Sequence, residues 1–450
     1  MAQDVSGRGE TAEVVSTPAE TASLGERVRK LRMAQGLTQR DLAADRFSKE
    51  YVSQIERGKT RPTWQTVLWL AKRLETDPAF LQSGVSSEAR ERARACVARA
   101  EAAIARRDYA GTIEALDALP DLANVTPDIE LREALARSWA LMYLGSVREA
   151  VMILTRAWAL VEERSFTDID RAEVMYRLGC CRYKLSSVVT AISLFGTALE
   201  LTERSPLPCQ RLQAHILEWR SRCYRRQRDW EAAREDVDRA LELARELGDG
   251  ETMAHVLFQA SLVAERNSDW QLARSYAEQA KGLYEEIDDR GNVGRLLNNL
   301  GGLSFLLGEP EQATELLKDA FGVALEVGSD PDAAQAISSL AQVHLRTGHV
   351  ELAETQARQA LDLLGDRVDF QDEIGNAQLV LGRSLLEQGR LDEAGDVFAQ
   401  AEETMGALGS TSHEAAVWVA QGDLATRQGS EAEAAGLYRR AAEALQDFHF

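Results

Sequence analysis

Apolar residues recur at helical spacing along nearly the whole chain, and the recurrence is punctuated where helices should begin and end. Leu24, Val28 and Leu31 share one face of a helix that Gly36 would stop. Leu42 and Ala43, then Val52 and Ile55, mark two short helices able to pack across each other. Thr38 can cap the first of these, with Asp41 in a capping-box position; Ser48 can cap the second, and Gly58 sits where it must end. Thr63 precedes a third apolar face, Trp64, Val67, Leu70, Ala71 and Leu74. Asp77-Pro78 then opens a short helix with Leu81. Residues 83–87 read as a compact polar hinge. Residues 1–22 are polar and lack any apolar period, as expected of a disordered tail.

Beyond residue 88 the pattern repeats. Marker segments begin at Asp229, Asp269, Glu309, His349, Arg390 and Ser430, at intervals of 40, 40, 40, 41 and 40, with Ser146 and Ser187 in the same frame upstream. Three positions stay small in all eight units. The first is Ser138, Gly179, Ser221, Ser261, Gly301, Ala341, Gly382 and Gly422. Alanines follow it at offsets of 12 (Ala150 to Ala434) and a further 7 (Ala157 to Ala441). Small residues so spaced let two antiparallel helices approach closely. Residues 88–119 form a ninth, degenerate pair in which Thr112 and Leu119 replace the alanines. The last unit ends in Phe448-His449-Phe450, expected to pack on the preceding turn.

Composition narrows the class. With 45% apolar residues and only 9 prolines in 450, a folded, nearly all-helical protein is expected. No apolar run reaches the roughly 20 residues of a membrane span, and the N-terminus lacks a secretion-signal layout, so a cytoplasmic protein without membrane contact is expected. The five cysteines (Cys96, Cys180, Cys181, Cys209, Cys223) form no CxxC pair and read as small buried residues in a reducing compartment. Six scattered histidines show no metal-ligand spacing, and Gly301-Gly302 lies in a helical pattern with no strand before it, so it is no phosphate loop. No enzyme, metal or cofactor is expected. The net charge of −20 argues against nucleic acid until the chain is divided: residues 23–82 hold 12 Lys/Arg against 7 Asp/Glu, whereas 83–450 hold 39 against 61. A small basic head on an acidic body fits a reader of DNA.

Leu37-Thr38-Gln39, Leu42-Ala43, Val52-Ser53, Ile55-Glu56-Arg57-Gly58 and Arg61-Pro62 resemble the helix-turn-helix of the Cro/phage-repressor-like (XRE) family. The resemblance covers residues 23–82 and implies a small five-helix lambda-repressor-like domain that binds double-stranded operator DNA. Asp45-Arg46-Phe47 departs from the small or glycine-containing turn of the family. Lys49, Glu50, Tyr51, Ser53 and Gln54, behind the Ser48 cap, can reach base edges from a major groove: lysine donates to guanine and glutamine pairs with adenine. Glu50 either accepts from cytosine or orients Lys49; Tyr51 meets a base or a phosphate. Gln39 corresponds to a family phosphate contact, and Arg57, Lys59 and Arg61 suit phosphates, with a merely solvated surface as the alternative. Glu56 is expected to pair structurally with a basic neighbour such as Arg40.

The small-residue frame resembles tetratricopeptide (TPR) repeats, which implies a right-handed superhelical solenoid over residues 88–450 whose first helices line a groove. Offsets of −6, −3, +1 and +4 from the first small residue then mark groove positions. Glu218, Arg222, Arg225, Phe258, Glu265, Arg295, Asn298 and Gln342 lie there, with Asn299 beside Asn298. A carboxamide both donates and accepts, which suits capture of an extended peptide. The pairing of domains is similar to the peptide-responsive quorum-sensing regulators of the RRNPP group. That similarity implies a homodimeric transcriptional regulator that senses a short signalling peptide. The alternatives are an array that holds a protein partner and no peptide, or a scaffold with a repurposed helix-turn-helix.

Overall fold

Twenty-three α-helices and no strand make up the described residues of this computed structural model, which are 23–119, 126–163, 166–365, 370–407 and 411–445. The expected tail over residues 1–22 and the Phe448–Phe450 terminus lie outside them. The chain divides into two compact units, Met1–Ser165 and Phe166–Phe450.

In the first unit, α1 (Leu24–Ala34), α2 (Gln39–Ala43), α3 (Lys49–Glu56), α4 (Trp64–Arg73) and α5 (Pro78–Ser83) enclose Val28, Leu42, Val52, Ile55, Val67, Leu70, Leu74 and Leu81. Each such side chain contributes about 1.5–3 kcal/mol on burial, and together they are nearly the whole interior of so small a domain. Capping boxes at Ser23–Glu26 and Thr38–Asp41 satisfy the first amides of α1 and α2. At Gly25, α1 comes so close to α3 that a Cβ would lie 2.3 Å from the Ile55 carbonyl oxygen. Arg27 donates to the Leu81 and Gln82 carbonyls at 3.0 and 2.8 Å, tying α1 to the end of α5.

Residues 83–87 are more closely bonded than a hinge would be. Gly84 takes a left-handed turn at φ +83°, Ser86 caps α6 (Ser87–Ala105), and the Asp77 carboxylate that caps α5 also accepts from the Ser87 amide. One carboxylate thus serves two helix starts. The unit continues with α7 (Tyr109–Asp117), α8 (Pro127–Tyr143) and α9 (Val147–Glu163), so the first two helix pairs of the array belong with the DNA-binding candidate.

The departure at 45–47 has a structural consequence. Helix α2 ends at Ala44, whose φ is +44° and whose side chain is exposed. An alanine held at positive φ is strained, whereas glycine is not. Ala44→Gly should therefore raise the unfolding free energy of this domain by about 1 kcal/mol, readable as a shift in the urea midpoint. Phe47 fills the corner that results, 5.0 Å from Trp69 edge to face and 5.3 Å from Tyr51.

The second unit is seven antiparallel pairs: α10 (Asp168–Lys184) with α11 (Val188–Arg204), α12 (Gln210–Gln227) with α13 (Trp230–Leu247), α14 (Gly250–Arg266) with α15 (Trp270–Glu286), α16 (Arg290–Leu306) with α17 (Pro310–Glu326), α18 (Asp330–Arg346) with α19 (Val350–Leu364), α20 (Gln371–Glu387) with α21 (Leu391–Gly406), and α22 (Thr411–Arg427) with α23 (Glu431–Leu445). The small positions are buried at the crossing of each pair, and their sizes are compensated across it. Where the first small residue is glycine, the facing residue of the second helix is large: Gly179 meets Phe195, Gly301 meets Leu317, Gly382 meets Phe398 and Gly422 meets Tyr438. Where it is serine or alanine, the residue at the same spacing is smaller, as with Ser221 and Val237, Ser261 and Ala277, or Ala341 and Ala357. First helices of neighbouring pairs also touch one another (α12 with α14, α16 with α18, α18 with α20), while second helices make no comparable contact. The first helices therefore form the inner face of the curve. No described helix is long and apolar enough to cross a membrane.

Candidate nucleic-acid interface and repeat groove

Helix α3 is held by its buried face and by both ends, which leaves one side to solvent. Val52, Ile55 and Glu56 point inward. The Ser48 hydroxyl accepts from the Tyr51 amide at 3.1 Å, so Ser48 is the N-cap and positions the helix start. At the other end Gly58, at φ +68°, lets its own amide reach the Ile55 carbonyl and the Lys59 amide reach that of Gln54 at 2.8 Å, a Schellman closure. Lys49, Glu50 and Gln54 are exposed between these ends, and Arg57, Lys59 and Arg61 are exposed just beyond. The Gln54 side-chain oxygen accepts from the Thr60 hydroxyl at 3.2 Å, which leaves its amide group to donate. Tyr51 and Ser53 are half-buried. Tyr51 leans on Phe47, so its ring serves the domain interior on one edge and can offer only the other.

The Glu56 pairing goes to a different cation from the one expected. Arg32 of α1, not Arg40, forms a two-pronged contact with its carboxylate, at 2.6 Å from Nε and 3.2 Å from Nη2. Arg40 is exposed, whereas Arg32 lies against the domain interior where the end of α1 passes α3. Gln39 also donates to Glu56, at 2.8 Å. Gln39 is thereby oriented at the start of α2 by a buried acid. Burial alone would raise the Glu56 pKa; the Arg32 and Gln39 hydrogen bonds, with the nearby Arg32 and Arg29 charges, more than offset it and hold it below the ordinary glutamate range.

The structure sorts the groove residues into three kinds. Glu218 was expected at an open position, yet it is 2% exposed and its carboxylate is taken by Arg222 one turn on. Arg222 in turn lies over the Trp219 ring, 4.5 Å from its centroid, so the two form a supporting pair within α12. Asn299 is a tie between helices: its oxygen accepts from Ser261 at 2.8 Å and its amide donates to Glu265 at 3.2 Å. Arg295 pairs with Asp332 of α18 at 3.0 Å. What stays available is Arg225, Phe258, Asn298 and Gln342. The Arg225 Nη1 and the Asn298 Oδ1 are enclosed by protein and have no hydrogen-bond partner among the described residues. Gln342 is exposed and Phe258 half-buried.

Charge in this groove is unevenly satisfied. Burial pulls the Arg225 guanidinium down to about 10; Arg222 and Arg266 push the same way, and Tyr183 and Glu265 oppose them. Burial raises Glu265, against the Arg266 and Arg225 charges and the Asn299 amide. Lys184, at the end of α10, keeps contact with solvent, but the protein packed around it lowers its pKa, and the Arg222 and Arg295 charges add to that. Glu373, at the start of α20, senses Lys184 and is raised by burial and by Asp372 and Asp332. Lys184, Arg226, Asp372 and Glu373 were not singled out from the sequence, because they sit outside the groove offsets; the charge of Lys184 acts on Glu373 and that of Arg226 on Asp372 across the array. No local signal marks them.

The buried thiols of Cys180, Cys181 and Cys223 are raised by burial, the latter two to about 12. Among the described residues no cluster of His, Cys, Asp and Glu could hold a metal ion. His255 is hydrogen-bonded to the Tyr284 hydroxyl at 2.6 Å and His344 to Gln356 at 2.7 Å, each inside a helix packing.

Residues 23–82 match a helix-turn-helix domain family, and residues 212–286, 292–365 and 339–407 match tetratricopeptide repeat families. No curated protein matches the chain. Among solved structures, the apo quorum sensor NprR from B. thuringiensis is similar at 15% identity, covering 78% of this chain and 98% of that one, with a TM-score of 0.55. A Rap protein complexed with competence and sporulation factor is similar at 16% identity, over 79% and 97%, with a TM-score of 0.55. A plasmid Rap conjugation gene regulator in complex with a Phr peptide is similar at 14% identity, over 72% and 99%, with a TM-score of 0.50. At these identities the likeness is one of fold. The fold is thus all-α, a helix-turn-helix domain joined to tetratricopeptide repeats.

Proposed function

We propose that this helix-turn-helix protein with tetratricopeptide repeats is a cytoplasmic, sequence-specific transcriptional regulator whose repeat groove receives a short signalling peptide. The observation that carries the DNA-binding half is the presentation of α3. It is capped at both ends and buried on one face, and Lys49, Glu50 and Gln54 stand exposed beside the basic Arg57–Arg61 rim. In this reading Lys49 and Gln54 read base edges, while Gln39, held by Glu56, and Arg57, Lys59 and Arg61 touch phosphates. The chain acts as a homodimer, since one such helix covers only a half-site, and it has no catalytic task. The peptide half is supported by the names of its fold relatives, one a quorum sensor and one a gene regulator bound to a peptide. Control of DNA binding then requires the peptide to favour one dimer arrangement over another.

The test is selection of duplexes from a random pool, followed by affinity measurements on the selected and on scrambled DNA. Lys49→Ala with Gln54→Ala should remove most of the discrimination, since each good base contact is worth about 1–3 kcal/mol. Arg57→Ala should weaken both duplexes alike and flatten the salt dependence. A wild type that shows no sequence preference at any salt concentration ends the regulator reading.

A further inference from the structure

We propose that the wall of the groove formed by α12 is a carboxylate-binding subsite, with Arg225 as the anchoring donor for an acidic side chain or the free C-terminus of the ligand. The inference rests on the peptide reading and adds the chemistry of one end of the peptide. Four observations lead to it. The Arg225 Nη1 is enclosed and has no hydrogen-bond partner among the described residues. The acids around it are otherwise engaged: Glu218 is held by Arg222, and Glu265 accepts from Asn299. More positive charge surrounds the position, from Arg222 and Arg266. Finally, the same row continues along the inner face through Glu265 to Phe305 of α16 and Leu345 of α18, both half-buried.

A guanidinium nitrogen withdrawn from water with nothing to donate to is a costly arrangement. Its planar fork matches a carboxylate in two parallel hydrogen bonds, which would recover that cost only when the ligand is present. The row order adds a direction: an acid at α12, then apolar side chains toward α16 and α18.

Two heptapeptide pools, randomised at every position and alike except for a free or an amidated C-terminus, are passed over the full-length protein and the retained peptides sequenced by mass spectrometry. Wild type should enrich Asp or Glu at one position in both pools if a side chain is bound, or retain peptides only from the free-acid pool if the C-terminus is. Arg225→Gln should reduce that enrichment at least tenfold and keep the apolar preferences, and Arg225→Lys should restore part of it. Because Arg225→Gln removes an unpaired cation, its melting temperature should equal or exceed that of wild type; a lower one overturns the premise that Arg225 lacks a native partner. Equal retention by Arg225→Gln, or wild-type retention without carboxylate dependence, overturns the subsite and leaves the peptide reading standing. Loss of enrichment in millimolar inorganic phosphate assigns a general anion site and overturns the carboxylate. Retention of no peptide from either pool removes the peptide reading and this inference with it.

Discussion

Glu56→Ala is expected to unfold the five-helix domain at temperatures where the wild type is folded. The side chain is 3% exposed and joins α3 to both preceding helices, to Arg32 of α1 at 2.6 Å and Gln39 of α2 at 2.8 Å. Arg32 is itself 12% exposed and donates to the Leu37 carbonyl at 2.6 Å, so it cannot swing into water without loosening the α1–α2 turn. Truncating one member of such a pair strands the other charge, at a cost of about 3–5 kcal/mol. A domain of this size has little more than that to lose. Denaturation followed through Trp64 and Trp69 fluorescence should show the loss, and an unchanged midpoint would mean that the pair does not hold the domain. The double variant Arg32→Met with Glu56→Leu separates charge from packing. It should regain most of the stability but not the full affinity for DNA, because Gln39 loses its orienting acceptor. Acid acts through the same group. Since the folded pKa of Glu56 is depressed, its contribution is fully present above the unfolded glutamate pKa and is lost as pH falls through the lower folded value. The domain should therefore be less stable below about pH 4.

What the sequence made legible was whatever is encoded within one or two helical turns. Caps at Thr38, Ser48, Thr63 and Asp77 and the stop at Gly58 are short-range chemistry, and each is present. The small-residue frame was legible because forty-residue repetition writes the same packing demand eight times. The choice of Arg32 over Arg40 as the partner of Glu56 depends on which face of α1 passes α3, a tertiary fact. Glu218 illustrates a second limit. The offset frame places it on the inner face, but Arg222 lies one turn away and covers it, and repeat geometry alone does not say which member of such a pair reaches solvent. The effect of the Lys184 charge on Glu373 lies further still from local reading, because the two stand five helix pairs apart in the chain. The volume pairing across the hairpins of the second unit, by contrast, was present in the sequence and is visible once the facing positions are known.

That pairing predicts opposite outcomes for two glycines that look alike in sequence. Gly382→Ala should destabilise the array, because its Cβ would lie 2.3 Å from Cε1 of Phe398, a fully buried ring with no room to turn. Overpacking of this kind costs about 1–3 kcal/mol, and the neighbours of α20 and α21 should feel it because each pair is stabilised by those on either side. Shrinking the partner should restore the fit, so Gly382→Ala with Phe398→Leu should be more stable than Gly382→Ala alone. Additive losses in that double-variant cycle would mean that the two residues do not set each other's size. Gly302→Ala should instead stabilise the array by about 0.5–1 kcal/mol, as expected for an exposed glycine inside a helix with nothing within 4 Å of the added carbon. Gly302 shares its groove row with Arg222 and Gln342, so the added methyl also narrows the inner face. A variant that melts higher yet retains fewer peptides would show that this glycine is kept for the ligand and not for the fold.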